Sequence, residues 1–415
     1  MHRRPLLLVL AALLAAAAAR ADGGVLRVGT SGDYPPFSSV TRDDPPVFDG
    51  FDVALARAYA LDRGLALVLE RFRWPDLTKA LESNRFDVAM SGVTVTPTRS
   101  AAGRYSVPVA ETGAVVLARQ PERFDELRDL NRSVIRIGVN AGGYLESVAN
   151  ATFPRATIVA IPDNAAVLQA LVAENVHAVV TDNIEAQRWI EAGPGLKRFG
   201  PLTRDRKAFL VRAGRPDLAA DLDRWLLARE ADGTLATLRR SYLGENAGPA
   251  TAQTLTSLLA AVDERLALMP IVAVAKRRQG IALVAERREG VVLQASIDAT
   301  REAALRAGVP APPTAAVRAV FRAQIEAAKQ VQWSAIKAKN VRPETVPSVT
   351  DVLRPALLRI GEKIARLLVA LPEGLGREPV RAAARDQLRA PHLTEASRLA
   401  IADAIAALSR APRAQ

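Results

Sequence analysis

Residues 254–279 have the sequence TLTSLLAAVDERLALMPIVAVAKRRQ, which continues at 280–294 as GIALVAERREGVVLQ. Arg265 and Lys276 are eleven residues apart. That spacing is almost three turns at about 3.6 residues per turn, so both cations should lie on one side of a helix. Pro270 lies between them and should kink or break that helix. Apolar residues recur at helical spacing: Leu255, Leu258, Leu259, Val262, Leu266, Met269, Val272 and Ala273. The stretch predicts a helical bundle with cations at the rim of its core, and a solvated cationic face is the alternative.

The helical pattern continues to the end of the chain. From Thr251 onward the sequence is rich in alanine, arginine and leucine and has no strand signal. Breaks are predicted where glycine and proline cluster, at 308–313, 342–347 and 372–378. The predicted helices are 252–279, 286–306, 314–340, 348–370 and 377–411.

Before Gly244 the pattern is different, because short apolar runs alternate with helical segments. Such alternation predicts an α/β fold with mostly parallel sheets. The predicted strands are 25–30, 65–69, 86–90, 114–118, 134–139 and 177–180, and the predicted helices are 51–61, 77–82 and 164–174. Binding sites in such sheets lie at the carboxyl ends of strands, where six distinctive residues fall: Asp33, Tyr34, Ser91, Gly92, Asn140 and Asp182. The change in pattern predicts two domains, 22–243 and 251–415, joined by a linker at 244–250.

Composition narrows the classes of function. The 415 residues carry 56 Lys and Arg against 44 Asp and Glu, a formal charge of +12. The basic residues are scattered and aromatic residues make up only 5% of the chain, so no aromatic-basic platform for nucleic acid is apparent. An anionic small substrate accounts for the charge as well. Cysteine is absent and there are three histidines, which disfavours disulfides, thiol chemistry and a Cys or His metal site.

The first residues have the pattern of an export signal. Arg3 and Arg4 precede an apolar run from Leu6 to Ala19, and 19–21 (ARA) fits the small-x-small cleavage pattern. Residues 1–21 are therefore predicted to be a signal peptide, and the mature protein to be periplasmic or secreted without stable membrane association. An uncleaved membrane anchor is the alternative.

Several motifs of the first half resemble those of periplasmic solute-binding proteins for amino acids, which have a two-lobed fold: 32–37 (GDYPPF), 50–53 (GFDV), 85–92 (RFDVAMSG) and 96–99 (TPTR). Further motifs resemble the exported cyclohexadienyl (prephenate and arogenate) dehydratases of that superfamily: 74–75 (WP), 140–143 (NAGG), 162–164 (PDN) and 181–186 (TDNIEA). The resemblance covers residues 25–243.

This resemblance implies a set of site residues. Glu185 would be the general acid, with a pKa raised by a closed, partly apolar cleft. Trp74 would form a wall against the substrate ring, and Arg99 would bind a carboxylate. A second carboxylate would lie near backbone N–H groups. The remaining implied residues are Ser91, Asn140, Gly142, Gly143, Asp182 and Lys207. Tyr144 and Leu145 stand where the family has small polar residues.

Four blocks of the second half resemble the all-helical chorismate mutases: 263–266 (DERL), 272–276 (VAVAK), 288–293 (REGVVL) and, as in the secreted subclass, 323–332 (AQIEAAKQVQ). The resemblance implies that Arg265 and Arg354 bind carboxylates with help from Arg288. Lys276 and Gln332 would donate to the ether oxygen, and Glu289 would bind the substrate hydroxyl. Ala328 and Gln332, four residues apart, would share a pocket wall. Arg359 is an alternative to Arg354, and Ala285 stands where the family often has aspartate.

The two resemblances imply consecutive reactions. Chorismate would rearrange to prephenate in the helical domain, and prephenate would lose water and carbon dioxide in the first domain to give phenylpyruvate. Arogenate is a further candidate substrate. Neither step requires a cofactor, and the helical mutases imply a homo-oligomer because they are often dimeric. One alternative is a non-catalytic amino-acid-binding domain fused to a mutase, and another is a regulatory or inactive mutase domain.

Overall fold

The computed structural model describes residues 24–120, 124–193, 195–244, 253–338 and 346–413. The described chain has a mixed α/β part up to Gly244 and an all-helical part from Gln253, which confirms the predicted fold class. The predicted signal peptide and residues 245–250 of the predicted linker lie outside the described residues. No helix among the described residues is both long and apolar enough to cross a membrane.

The strands all lie in the mixed part. In chain order they are β1 (Val25–Thr30), β2 (Asp33–Tyr34), β3 (Ser38–Asp43), β4 (Pro46–Asp49), β5 (Ala66–Arg71), β6 (Val88–Ala89), β7 (Gly103–Tyr105), β8 (Ala110–Thr112), β9 (Ala114–Arg119), β10 (Arg136–Asn140), β11 (Thr157–Ile161), β12 (Ala178–Asp182), β13 (Leu196–Phe199), β14 (Asp205–Lys207) and β15 (Leu210–Arg212).

Helices occur in both parts. Those of the mixed part are α1 (Phe51–Asp62), α2 (Leu77–Glu82), α3 (Pro97–Ala102), α4 (Tyr144–Thr152), α5 (Ala165–Val172), α6 (Asn183–Ala192), α7 (Pro216–Ala231) and α8 (Thr234–Leu243). Those of the helical part are α9 (Thr254–Ala267), α10 (Met269–Arg278), α11 (Glu286–Ala307), α12 (Thr314–Ala338), α13 (Arg354–Val369), α14 (Arg377–Gln387) and α15 (Glu395–Arg410).

The mixed part forms two lobes, each built on a five-stranded sheet. The order is β5-β1-β6-β15-β7 in lobe 1 and β11-β10-β12-β9-β13 in lobe 2. Three neighbouring strands of each sheet are parallel, and the other two are antiparallel to their neighbours. The prediction of mostly parallel sheets is therefore right only for the three neighbouring strands of each sheet that are parallel, β5-β1-β6 and β11-β10-β12.

The chain crosses between the lobes twice, at β8 and β14, and these two strands pair with each other. They form the hinge strands of the molecule. Each parallel strand ends near this crossing, so the polar residues at the strand ends face the cleft between the lobes.

The helical part follows the sequence pattern except near its end. The predicted helix 252–279 breaks between α9 and α10, next to Pro270, whose ring cannot continue a helix. The predicted helix 377–411 is wrong, because the chain forms two helices, α14 and α15. Pro391 follows α14, and His392 has a positive φ of 66°, so the backbone cannot stay helical there.

The helical part packs on lobe 1. One continuous hydrophobic cluster includes Phe51 of lobe 1 and Phe321 of the helical part. Lobe 2 has two clusters, one on each face of its sheet, as expected from the alternation of side chains along its strands. Lobe 1 and the helical part therefore form one packed body, against which lobe 2 closes.

Candidate active sites

Two capped helix starts position key side chains of the cleft. The Thr96 side chain accepts from the Arg99 N–H at the start of α3, and Pro97 is the first helical residue. Asp182 Oδ1 accepts from the N–H groups of Ile184 and Glu185 at the start of α6, at 2.8 and 2.9 Å. Such caps satisfy N–H groups that a helix start leaves free. Arg99 and Glu185 are each the third residue of a capped helix.

The cleft encloses a cavity of only about 30 Å³. Five predicted site residues line it: Trp74, Arg99, Asn140, Gly143 and Lys207. The other lining residues are Tyr34, Gly92, Thr94, Tyr144, Leu145 and Asn164. This space is too small for a ring-sized substrate, so binding one requires the lobes to separate.

The Glu185 carboxyl lies behind the cavity wall. Its Oε1 accepts from Asn164 Nδ2 at 2.8 Å, and its Oε2 from Thr181 Oγ1 at 2.5 Å. Burial, together with the nearby Asp182 charge, raises the pKa of Glu185 to about 8. A carboxyl in this environment keeps its proton near neutral pH.

Asp182 is fully engaged inside the protein. One oxygen caps α6, and the other accepts from the Tyr34 hydroxyl. Lys207 Nζ lies 3.9 Å from the same carboxylate and donates to Tyr34 Oη and Thr94 Oγ1 at 3.1 and 3.0 Å. Burial raises the pKa of Asp182 and lowers that of Lys207. Tyr34 therefore joins lobe 1 to lobe 2. The sequence placed it at a strand end but did not predict this contact between the lobes.

Trp74 and Arg99 lie side by side on the lobe 1 wall. The Arg99 guanidinium carbon is 5.7 Å from the centre of the Trp74 ring, within the range of a cation–π contact. Arg99 Nη1 donates to the Thr94 carbonyl at 3.1 Å, and Trp74 Nε1 donates to Asp33 Oδ1 at 3.2 Å. The guanidinium is thus held without a carboxylate partner among the described residues.

Contacts across the cleft show that the lobes are closed. Asn164 Nδ2 donates to the Asp33 carbonyl at 3.1 Å. Gly142, with φ of +70°, lies so near Pro75 that a Cβ there would be 2.5 Å from Pro75 Cγ. Glycine is required at this approach, because other residues rarely adopt that φ and have no room.

Two predicted anion-binding or polar residues have other partners. The Gly142 N–H donates to Glu146 Oε2 at 2.6 Å, so in the closed state it does not offer its donor to a ligand. Ser91 Oγ is hydrogen bonded to Ser31 Oγ at 2.8 Å and lies outside the cavity. Tyr144 donates to Asp205 Oδ1 of the hinge at 2.8 Å.

The helical part contains a much larger cavity of about 1460 Å³. Five helices, α9 to α13, bring the seven residues singled out in this half to its wall: Arg265, Lys276, Arg288, Glu289, Ala328, Gln332 and Arg354. The cavity continues to the surface of α7 in lobe 1. Arg359 instead donates to the Ala101 carbonyl at 2.7 Å, so Arg354 is the arginine that reaches the cavity.

Arg265 and Lys276, two cations of this cavity, have no ion-pair partner among the described residues. Arg265 is 7% exposed, and its Nη1 has no hydrogen-bond partner. Burial with no compensating carboxylate lowers the pKa of Arg265 to about 10, so the side chain remains cationic at neutral pH. Lys276 Nζ donates only to the Leu283 carbonyl, at 2.9 Å, and burial and the Arg354 charge lower its pKa. A buried unpaired charge is costly, and an anionic ligand would compensate it.

Polar groups complete the wall. Gln332 Nε2 donates to the Ala328 carbonyl at 3.2 Å, and its buried Oε1 has no partner. Glu289 is paired with Lys329, whose Nζ lies 3.3 Å from Glu289 Oε2. Lys329 also lines the cavity. Lys329 was not among the predicted site residues. It lies inside the 323–332 block, and its position next to the predicted residue Ala328 was the one sequence signal that it could reach the cavity.

The two-lobed fold and its cleft define the class of protein. The chain belongs to family 3 of the bacterial extracellular solute-binding proteins, whose family model matches residues 26–245. It is 33% identical over 227 residues to the cyclohexadienyl dehydratase of Pseudomonas aeruginosa, covering 54% of this chain and 84% of that protein. It is 28% identical over 234 residues to the ABC transporter arginine-binding protein 1 of Escherichia coli, covering 55% and 94%. A solved ancestral amino-acid-binding protein, described as a precursor of cyclohexadienyl dehydratase, is similar at a TM-score of 0.50 and 29% identity, covering 54% and 96%.

Proposed function

We propose that the chain is an exported bifunctional enzyme that converts chorismate to prephenate and prephenate to phenylpyruvate, with arogenate as a second substrate of the cleft. The observation that carries the proposal is the cavity of the helical part, where Arg265 is a buried cation without a partner. The dehydratase half is supported by the Pseudomonas aeruginosa relative. The extracellular description of the family supports export.

The mutase step needs no proton transfer. Chorismate carries two carboxylates, and its breaking ether oxygen gains negative charge as the rearrangement proceeds. Arg265 and Arg354 would hold the carboxylates in the compact conformer, and Arg288 would add to this clamp. Lys276 and Gln332 would donate to the ether oxygen, where charge develops in the transition state. Glu289 would accept from the substrate hydroxyl, with Lys329 holding its carboxylate in place.

The dehydratase step needs a proton on a poor leaving group. Glu185 would donate it to the ring hydroxyl of prephenate, which leaves as water. The bond to the ring carboxylate breaks at the same time, carbon dioxide departs, and the electron pair completes the aromatic ring. Arg99 would bind the side-chain carboxylate and Trp74 would pack against the ring. The raised pKa of Glu185 supports this role, because the acid is loaded near neutral pH.

An amino-acid-binding cleft without catalysis is the second candidate function. Arginine-binding and cystine-binding relatives support it. Such a cleft would use Asp182 for the ligand α-amino group, but that carboxylate is engaged by Tyr34 and by the start of α6. The buried acid Glu185 also has no evident use in it.

A single incubation tests the proposal. Purified mature protein receives chorismate alone, and phenylpyruvate is followed by its absorbance in alkali, with an enzyme-free control for spontaneous conversion. Phenylpyruvate formation would support both activities. Prephenate accumulating without phenylpyruvate would favour the amino-acid-binding cleft, and unconverted chorismate would contradict the mutase half.

A further inference from the structure

The two candidate sites are joined by neighbouring residues. Arg99 of the cleft is followed by Ser100, and Arg265 of the cavity is preceded by Glu264. Ser100 Oγ donates to Glu264 Oε1 at 2.9 Å. Ser100 is 1% exposed and Glu264 is 6% exposed. One buried hydrogen bond thus joins the side chain of the residue after Arg99 to the side chain of the residue before Arg265.

The same contact is fixed from α13. Lys363 Nζ donates to Glu264 Oε2 at 3.2 Å and to the Ser106 carbonyl at 3.0 Å. Arg359, one turn earlier, donates to the Ala101 carbonyl at the end of α3. Since α13 begins with Arg354 at the cavity, this helix contacts both the cavity and α3, the helix that carries Arg99.

We propose that Glu264 is a positioning residue for both sites, through which an anion bound at Arg265 stabilises the arrangement of α3 and Arg99. This inference rests on the proposed function of the helical cavity. Glu264 has little freedom, because moving its carboxylate would leave the buried Lys363 ammonium unpaired. A ligand that orders α9 therefore lowers the entropic cost of ordering α3, so binding at the cavity favours binding at the cleft. The coupling free energy is the same when the cleft is occupied first.

A contact that only holds the two parts together would behave differently. The Arg204–Asp386 ion pair, at 2.5 Å, also joins the mixed and helical parts, but it is about half exposed and touches neither arginine. Asp386→Asn is therefore a matched control, since it removes the charge of an ion pair between the same two parts of the chain. It should weaken the interface slightly without disconnecting α3 from α9.

Hydrogen exchange of the full mature chain tests the inference. The probe is a non-reacting bicyclic dicarboxylate with the shape of compact chorismate, and calorimetry verifies its binding. In the wild type, saturating probe should slow amide exchange in residues 97–103 by about fivefold or more, the lower end of ordinary coupling between sites. In Ser100→Ala and in Glu264→Gln the probe should still bind, and the slowing should fall below about twofold. Asp386→Asn should behave as the wild type.

The contrary outcomes are distinct. If the probe binds and exchange at 97–103 does not change, or if Ser100→Ala transmits the same slowing as the wild type, this inference is wrong and the proposed function stands. If the probe does not bind to the wild type, the mutase proposal and this inference fall together. Glu264→Gln provides a second variant of nearly equal shape should Ser100→Ala pack poorly.

Discussion

The two candidate sites solve the problem of binding an anion in opposite ways. The cleft is closed to about 30 Å³ and its Asp182 and Lys207 charges face each other. The helical cavity has about 1460 Å³ and is lined by Arg265, whose buried Nη1 has no hydrogen-bond partner in the described part of the chain. In the cleft, Arg99 has no carboxylate partner among the described residues, but Lys207 is paired with Asp182, and opening of the lobes can exchange that pair for substrate. In a site built on packed helices no carboxylate can move toward the cation, so the Arg265 guanidinium stays available to a ligand in the cavity.

The hinge strands show which body moves. Arg206 on β14 pairs with Asp263 of α9 at 2.7 Å, and Glu111 on β8 pairs with Arg389 at 2.9 Å. The helical part therefore holds the hinge from the side of lobe 1. We expect lobe 2 to swing alone when the cleft opens, while the mutase cavity keeps its shape.

The largest difference between the two activities should come from changing Glu185, the proposed general acid. Glu185→Gln keeps the shape and removes the proton, so we expect prephenate dehydration to fall by about 10²- to 10⁴-fold. Mutase turnover should be unchanged, because Glu185 lies in lobe 2. Steady-state kinetics of both reactions measure this, with Glu191→Gln, an exposed change on the same helix, as control. An equal loss of both activities would contradict independent chemistry.

Asp263 links the helical part to the hinge strand β14, and its substitution should break this link. Its Oδ2 pairs with Arg206, and its Oδ1 accepts from the Arg389 and Ala390 N–H groups at 2.5 and 2.6 Å. Asp263→Ala leaves a buried guanidinium without its partner and should lower the free energy of unfolding by about 3–5 kcal/mol. Urea denaturation measures it. Asp386→Ala, which breaks an exposed pair, should cost less than about 1 kcal/mol, and similar losses would refute the distinction.

The cavity should depend on Arg265 more than on charge in general. Arg265→Leu removes a buried donor from the cavity wall and should lower mutase kcat/KM by about 10²- to 10³-fold. Dehydration of added prephenate should continue. Arg277→Leu removes the same charge from an exposed position and should leave the mutase rate within about twofold. A loss as large in Arg277→Leu would indicate an effect of net charge instead.

The pH dependence should distinguish proton transfer from charge stabilisation. The pKa of Glu185 is raised to about 8 by burial and by Asp182, so the acid is protonated below that pH and ionised above it. Dehydratase kcat/KM should be level below about pH 8 and then fall about tenfold per pH unit. The kcat/KM of the mutase should not fall near pH 8, because the rearrangement of chorismate transfers no proton. Rate profiles from pH 6 to 9.5 measure both, and a dehydratase rate that stays level to pH 9.5 would exclude Glu185 as the acid.

Closure is the property that the cleft has and the cavity lacks. Gly142→Ala would place a Cβ 2.5 Å from Pro75 Cγ at a φ of +70°, so the closed lobes should be strained. We expect the KM for prephenate to rise by roughly fivefold, the lower end of the 1–3 kcal/mol cost of such a backbone, with no change in the mutase KM. Gly214→Ala, with open space around it and no positive φ, is the control. An unchanged prephenate KM would show that turnover does not need this closure.

Local patterns predicted much of this molecule. The division into alternating and helical parts and the break beside Pro270 follow from hydrophobic spacing and from proline geometry. Arg265 and Lys276 reach one cavity through the packing of α9 and α10, because the chain breaks between them and spacing alone left a solvated cationic face open. The break at 388–394 was missed, because alanine and arginine on both sides of Pro391 continue a helical pattern. At the cleft, Trp74, Arg99 and Lys207, which the family resemblance implied, line the cavity, and their roles stay predictions. Ser91 and Gly142 are instead engaged by Ser31 and Glu146.

The sequence by itself determined most of the parallel strands and most of the helices of the second half, because side-chain period, capping residues and prolines act over a few neighbours. Only the tertiary structure decided that Ser100 meets Glu264 and that Tyr34 reaches Asp182. These pairs are 164 and 148 residues apart, and no periodic signal extends over that distance. Their contacts arise when the helical part packs on lobe 1 and lobe 2 closes, since each depends on the whole hydrophobic surface that the packing buries.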